Sequence, residues 1–355
     1  MTRDSGFKKV VRRHATETGQ RYTEALTDLE GLEARMFHEP VAERLLAHVR
    51  DRYGIDALTA KQVSVHRADV FRIDRGDGEP WIARAFPPAR PRAGAEGDAA
   101  ILRFLARHDY PAERLAVDDA VSDFEGTSVL VSQFIEGEHI PPFTDNMTVM
   151  ADLLGRLHAL PFDDAVRRPG GAQSIDPSRE GSPRQDLLAA LALLDAVDTK
   201  VPSEGRDQFE QLRDKVRSAD AGEGLPEALL HGNLPHAPDH VLRTEHGAVA
   251  FNWTASGLGP RLADFAWLMR VSWGDPNLID PAVGAYCRHV ELTDEELDRL
   301  EEVMYVRPLY LDSFGYRRTV ANGQEPGPDV RQFSNPDNTR ATADATRAAL
   351  LRRRG

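Results

Sequence analysis

The stretch Leu230 to Arg270, LHGNLPHAPDHVLRTEHGAVAFNWTASGLGPRLADFAWLMR, most constrains what this chain can fold into. Val241 and Leu242 form a short apolar run, His246-Gly247 supplies a turn, and Ala248 to Phe251 form a second run. Two apolar runs across a tight turn are the pattern of a β-hairpin. Polar residues hang on its ends: His231, Asn233, Asp239 and His240 before it, Asn252 after it. Gly257, Gly259 and Pro260 read as a loop. Leu262, Phe265, Ala266 and Met269 then repeat at helical spacing.

Around this centre the chain divides by pattern. Residues 1–37 read as a helical N-terminal extension, two short helices with a basic first one. A nucleic acid or a partner is one reading of that basic face, and a solvated appendage is the preferred one. A helix over Val41 to Tyr53 precedes strands near Ala60–Val65, Val70–Asp74 and Trp81–Phe86, the last two joined by the turn residues Arg75-Gly76-Asp77-Gly78. A helix over Glu96–His108 and a strand over Val129–Ile135 follow. Helices are expected over Met150–Leu160, Leu187–Val197, Gln208–Val216, Pro281–Val290 and Glu295–Val306. Thr293 with Glu296 three residues on is the signature of a capping box. Ala321–Asn338 reads as a linker and Thr342–Arg354 as a last helix.

Composition narrows the class. A chain of 355 residues with 41% apolar residues can bury a large core, and two lobes are expected. The formal net charge of −13 argues against a general nucleic-acid binder. It is compatible with a cationic ligand, although ordinary solubility accounts for it. Cys287 is the only cysteine, so no disulfide forms within the chain, which fits a reducing cytosol. The opening residues MTRDSGFKKVVRRH show no secretory signal, and no apolar run approaches a membrane span. The expected placement is cytoplasmic.

The central stretch resembles the catalytic segment of the aminoglycoside phosphotransferase and choline kinase-like family. There the pattern is H-G-D, then N-V-L, then I-D-W, then G-x-G-P-R-x-x-D-L-A-W. Here it stands as His231-Gly232-Asn233, His240-Val241-Leu242, Phe251-Asn252-Trp253 and Gly257 to Trp267. The resemblance spans roughly residues 40–315 and implies an α+β, bilobal protein-kinase-like fold. Residues 38–140 would form the N-lobe, residues 141–315 a helical C-lobe around the hairpin, and residues 316–355 a linker and C-terminal helix. Val129–Ile135 resembles the family's hinge strand, and Met150–Leu160 resembles its L-x-x-L-H-x-L helix, whose His158 reads as a packing residue.

The resemblance also assigns roles, and the chain departs from them where charge matters. The Asp of H-G-D, which takes or orients the substrate proton, is Asn233, and general-base help of that kind is worth ~10²–10⁴-fold. The Asp of I-D-W, which binds the metal, is Asn252. The lost unit charge is worth roughly 8 kcal/mol gross against a divalent ion at ~4 Å and an effective dielectric of about 20. His240 replaces the Asn of N-V-L, and imidazole is a poor Mg²⁺ ligand. Asp239, one residue earlier, is the candidate substitute. Arg84 stands where the phosphate-pairing Lys is expected, with Glu96 or Asp98 as its helix partner, or else is a surface Arg. His66-Arg67-Ala68-Asp69, in place of a phosphate-covering loop, has no glycine. His231 and Asp264 match bracing residues and are retained, as is Gly259-Pro260-Arg261.

Two readings follow. The first is a pseudokinase-like protein that binds a small-molecule ligand or a nucleotide and transfers phosphate poorly or not at all. The second is an ATP- and Mg²⁺-dependent phosphotransferase acting on a small-molecule hydroxyl, such as that of an aminoglycoside, amino alcohol or sugar, with Asp239 standing in.

Overall fold

The computed structural model describes residues 41–64, 69–86, 92–140, 146–161, 182–234, 240–324 and 334–354. The extension at 1–37, residues 66–68, most of the 169–183 loop and Asp239 lie outside the described residues. The chain divides into two compact units, residues 1–84 and 85–355.

The first unit carries helix α1 (41–53) and strands β1 (Ala57–Ser64), β2 (Asp69–Arg75) and β3 (Trp81–Ala85). Strands β1 and β2 pair antiparallel, with register shifts near both ends. Phe71 and Ile73 alternate inward along β2, and the intervening residues stay partly exposed, as one buried face requires.

The second unit opens with α2 (Arg92–Arg107) and the antiparallel pair β4 (Val121–Phe124) and β5 (Thr127–Gln133). Strand β6 (Glu138–His139) and helices α3 (Met147–His158), α4 (Pro183–Asp195) and α5 (Arg206–Ser218) follow. Strand β7 (Glu227–Leu230) leads into the central stretch. There β8 (Val241–Thr244) and β9 (Gly247–Ala250) form the expected hairpin, and β6 pairs on the other edge of β8. The Gly257–Pro260 segment, read from sequence as a loop, is strand β10 and pairs antiparallel with β7. Its glycines hide the apolar alternation by which a strand is recognised.

Helices α6 (Leu262–Arg270), α7 (Pro276–Cys287), α8 (Asp294–Asp298), α9 (Leu300–Val303), α10 (Val306–Ala321) and α11 (Pro336–Arg354) complete the chain. The capping box is formed: Thr293 accepts from the Glu296 N–H, and Glu296 accepts from the Thr293 N–H. The last helix starts six residues earlier than its apolar pattern suggested, because Thr339 and Thr342 are buried and satisfy their hydroxyls on carbonyls one turn back. Among the described residues no helix is long and apolar enough to cross a membrane.

Two helix packings hold the site in place. Helices α4, α5 and α10 share a core of Leu187, Leu194, Phe209, Leu212, Leu309 and Tyr316. Helix α3 packs on α7 at Gly155, where a β-carbon would come within 2.8 Å of the Tyr286 carbonyl oxygen. One turn on, His158 Nδ1 and the Tyr286 hydroxyl are hydrogen-bonded at 2.9 Å. His158 is the packing residue its position at the helix end suggested.

Burial pushes the His158 imidazole from its ordinary 6.5 down to about 3, with the Arg261 charge adding to the effect. Above pH 6.5 the folded and unfolded states both hold it neutral. Below that, the unfolded chain takes a proton that the folded chain refuses, so stability falls with pH at ~1.4 kcal/mol per unit until the folded imidazole protonates. Urea unfolding between pH 6.5 and 3 is expected to show this slope, and His158→Gln is expected to reduce it by one proton.

Candidate functional site

The site is built on the turn from β7 into the hairpin. Asp264, in the first turn of α6, is buried and its Oδ2 accepts from the backbone N–H groups of His231 (2.8 Å) and Gly232 (3.1 Å). Gly232 adopts φ +74°, and a β-carbon there would lie 2.4 Å from the Ala255 carbonyl oxygen, so only glycine fits. The His231 ring is fully buried, donates from Nε2 to the Phe251 carbonyl oxygen at 3.1 Å, and lies 4.5 Å from the Trp253 ring centre. These contacts tie the loop to α6 and to the end of the hairpin.

Gly259-Pro260-Arg261 has a matching role. The Arg261 guanidinium grips the fully buried Glu296 carboxylate with two bonds of 2.8 Å, which ties α6 to the capping box of α8. Those hydrogen bonds hold the Arg261 pKa above its ordinary value. Such bidentate pairs between a guanidinium and a carboxylate fix geometry as well as adding energy.

The three departures from the motif sit together. His240 Nδ1 donates to the Asn233 carbonyl oxygen at 3.1 Å, so in the neutral ring Nε2 is an acceptor. Asn252 Nδ2 donates to it at 2.9 Å. The Asn252 amide oxygen then accepts from the Thr254 hydroxyl at 3.0 Å. Asn252 is held at φ +66°, a left-handed conformation that Asn tolerates. Its backbone N–H donates at 2.8 Å to Glu113, a buried carboxylate that also accepts from Ser132.

Glu113 was not legible in the sequence. It lies in residues 111–116, which run between β9 and β5 and bond to both: Glu113 N–H to the Ala250 oxygen, Ala116 N–H to the Val131 oxygen. Two further residues escaped notice. Arg307, at the start of α10, donates from Nη2 to Asn233 Oδ1 at 3.1 Å and from Nη1 to Asp186 Oδ2 of α4 at 3.1 Å. The sequence pattern placed a helix near α4 but none over α10, and a charged pair between two such elements leaves no spacing signal.

Arg84 is buried on β3, Asp98 is buried on α2, and Glu96 is exposed and paired with Arg92 at 2.8 Å.

The described residues do not fit a Mg²⁺ ion. That ion asks for hard oxygen ligands in near-octahedral array. Here the Asn252 oxygen is engaged by a hydroxyl, its nitrogen by imidazole, and no group of three or more Asp, Glu, His or Cys residues suited to a metal occurs among the described residues.

This two-strand, hairpin and helix arrangement defines a kinase-like phosphotransferase scaffold. The sequence pattern of the phosphotransferase enzyme family (APH) matches residues 59–303, and the chain belongs to that family. Among solved structures it is similar to the amicoumacin kinase hAmiN in complex with AMP-PNP, Ca²⁺ and Ami, with a TM-score of 0.57 and 12% identity over 91% of this chain and 96% of that one. Spectinomycin phosphotransferase APH(9)-Ia, in complex with ADP and its antibiotic, is similar at a TM-score of 0.54 and 13% identity, covering 86% and 98% of the two chains. Choline kinase LicA from Streptococcus pneumoniae is similar at 0.54 and 12%, covering 85% and 98%. At these identities the likeness shows the fold, which is α+β and protein-kinase-like. No curated protein sequence matches the chain.

Hydrogen bonds to a charged acceptor are worth ~1.5–3 kcal/mol each. Asp264→Ala is therefore expected to lower stability in urea by about 3 kcal/mol. Asp264→Asn, which keeps one acceptor oxygen, is expected to cost clearly less.

Proposed function

We propose that this protein binds a small-molecule ligand or a nucleotide on a phosphotransferase scaffold without carrying out efficient phosphate transfer. The observation that carries the reading is the closed network of Asn233, His240, Asn252 and Thr254 at the positions of the reactive and metal-binding groups. An amide at 233 can orient a hydroxyl but cannot take its proton. An amide at 252, bonded at both ends, offers a metal no charge and only an oxygen already engaged by the Thr254 hydroxyl.

In this reading His231 and Asp264 keep the loop in register, and Arg84 serves the phosphates of a nucleotide. Solved relatives in complex with AMP-PNP and ADP support a nucleotide as ligand. The second reading is an active ATP- and Mg²⁺-dependent phosphotransferase with a hydroxyl acceptor and Asp239 as the substitute carboxylate, and membership of the family is compatible with either reading.

The two readings separate on turnover. With ATP and Mg²⁺ over a panel of aminoglycosides, amino alcohols and sugars, the wild-type chain is expected to transfer no phosphate above background. Asn233→Asp combined with Asn252→Asp is expected to gain activity. Wild-type turnover abolished by Asp239→Ala would establish the second reading instead.

A further inference from the structure

The pair Asp186–Arg307 plays no part in bracing the loop or in the amide–imidazole network, yet it meets the side chain of the central motif residue, Asn233. A guanidinium only donates hydrogen bonds. Its bond to Asn233 therefore fixes that amide with Oδ1 toward Arg307 and Nδ2 turned away. Where the family motif presents a carboxylate, this chain presents a neutral amide whose oxygen is engaged by Arg307.

Arg307 itself is built into the fold. Its side chain is 7% exposed, its guanidinium carbon lies 5.2 Å from the Tyr310 ring centre, and its Nε is buried with no hydrogen-bond partner among the described residues. A cavity of about 30 Å³ borders Arg307, Asp186, Gly232, Asp264 and Trp267. That is room for one or two water-sized groups, the scale of a ligand's head group and not of a whole ligand.

The charges around Arg307 decide what that head group is. Asp186 faces it directly, and Asp264 lines the same cavity but turns Oδ2 to the His231 and Gly232 N–H groups. Position 233 is neutral. An aspartate there would set a second carboxylate against the guanidinium and close it off. With asparagine, Arg307 is matched by one carboxylate and keeps donors for another.

We infer that the cavity bordered by Arg307, whose guanidinium also holds Asn233, takes its ligand through an anionic oxygen, a carboxylate or a phosphate group, and not through a hydroxyl or ammonium group. The inference rests on the reading of this loop as a ligand site. It adds the ligand's chemical class and names Arg307 as the residue that selects it. Planar guanidinium suits both oxyanions through paired N–H donors.

The experiment is thermal melting of the full chain against inorganic phosphate, acetate and ethanolamine at equal ionic strength, with and without saturating ATP. Ligand binding to the folded state raises the midpoint by mass action. Phosphate or acetate is expected to raise it with ATP present, and the stronger of the two identifies the group; ethanolamine is expected to have no effect. Arg307→Gln paired with Asp186→Asn leaves no lone buried charge, so it guards against simple misfolding. In that double variant the apparent anion affinity is expected to fall about tenfold or more, the loss of one charge-assisted contact. Any ATP-induced rise is expected to survive. An anion effect that persists in the double variant, a response to ethanolamine, or no response to any probe overturns the inference. The ATP response, read in the same melts, judges the nucleotide reading separately.

Discussion

One carboxylate holds this site together. Asp264 accepts the backbone N–H groups of two consecutive residues, His231 and Gly232, and does so from the first turn of α6 while buried. That contact forces the tight left-handed turn at Gly232, which only a residue without a β-carbon can make against Ala255. The turn seats the His231 ring against Trp253 and the Phe251 oxygen, and so fixes the distance between the loop and the far end of the hairpin. Only with that distance set can His240 bridge the Asn233 oxygen and the Asn252 amide. The parts of the motif that survive in this chain are those that do this mechanical work.

The altered residues read as one change and not three. The buried His240 ring bonds the Asn233 backbone oxygen and the half-buried Asn252 amide, so these polar groups are paired without a cation, and burying polar groups is tolerable when they are paired. Replacing Asn252 alone by Asp would place a carboxylate beside His240 Nε2 and beside the Thr254 hydroxyl, and return no oxygen at 233. On the proposed reading, efficient phosphate chemistry therefore asks for carboxylates at both positions together. Arg307 adds a further condition, since it holds the 233 side chain from the opposite direction.

Much of this was legible in the sequence, and the limits have physical causes. The hairpin, the helix after it and the capping box are local patterns, and each formed where spacing and end signals placed it. His231 and Asp264 were singled out by motif order, and their contacts with the loop are seen in the fold. Strand β10 was missed because its glycines carry no alternation, and its identity comes from β7, a partner distant in the chain. Glu113 reaches a residue 139 positions away, and Arg307 reaches residues 74 and 121 positions away. Nothing local marks such residues, since a lone Glu in a connector and an Arg opening a helix look like solvated surface. The collective effect of the Asn and His replacements was visible as a loss of charge. That they would bond to each other was not.

The central claim is that the metal position has been replaced by a protein network that needs no cation. Melting of the wild-type chain with ATP, in the presence of Mg²⁺ and in the presence of a chelator, tests it most directly. The account predicts an ATP-dependent rise in midpoint that is the same in both. A rise that requires Mg²⁺ would contradict it, because a working metal site would then exist at this hairpin.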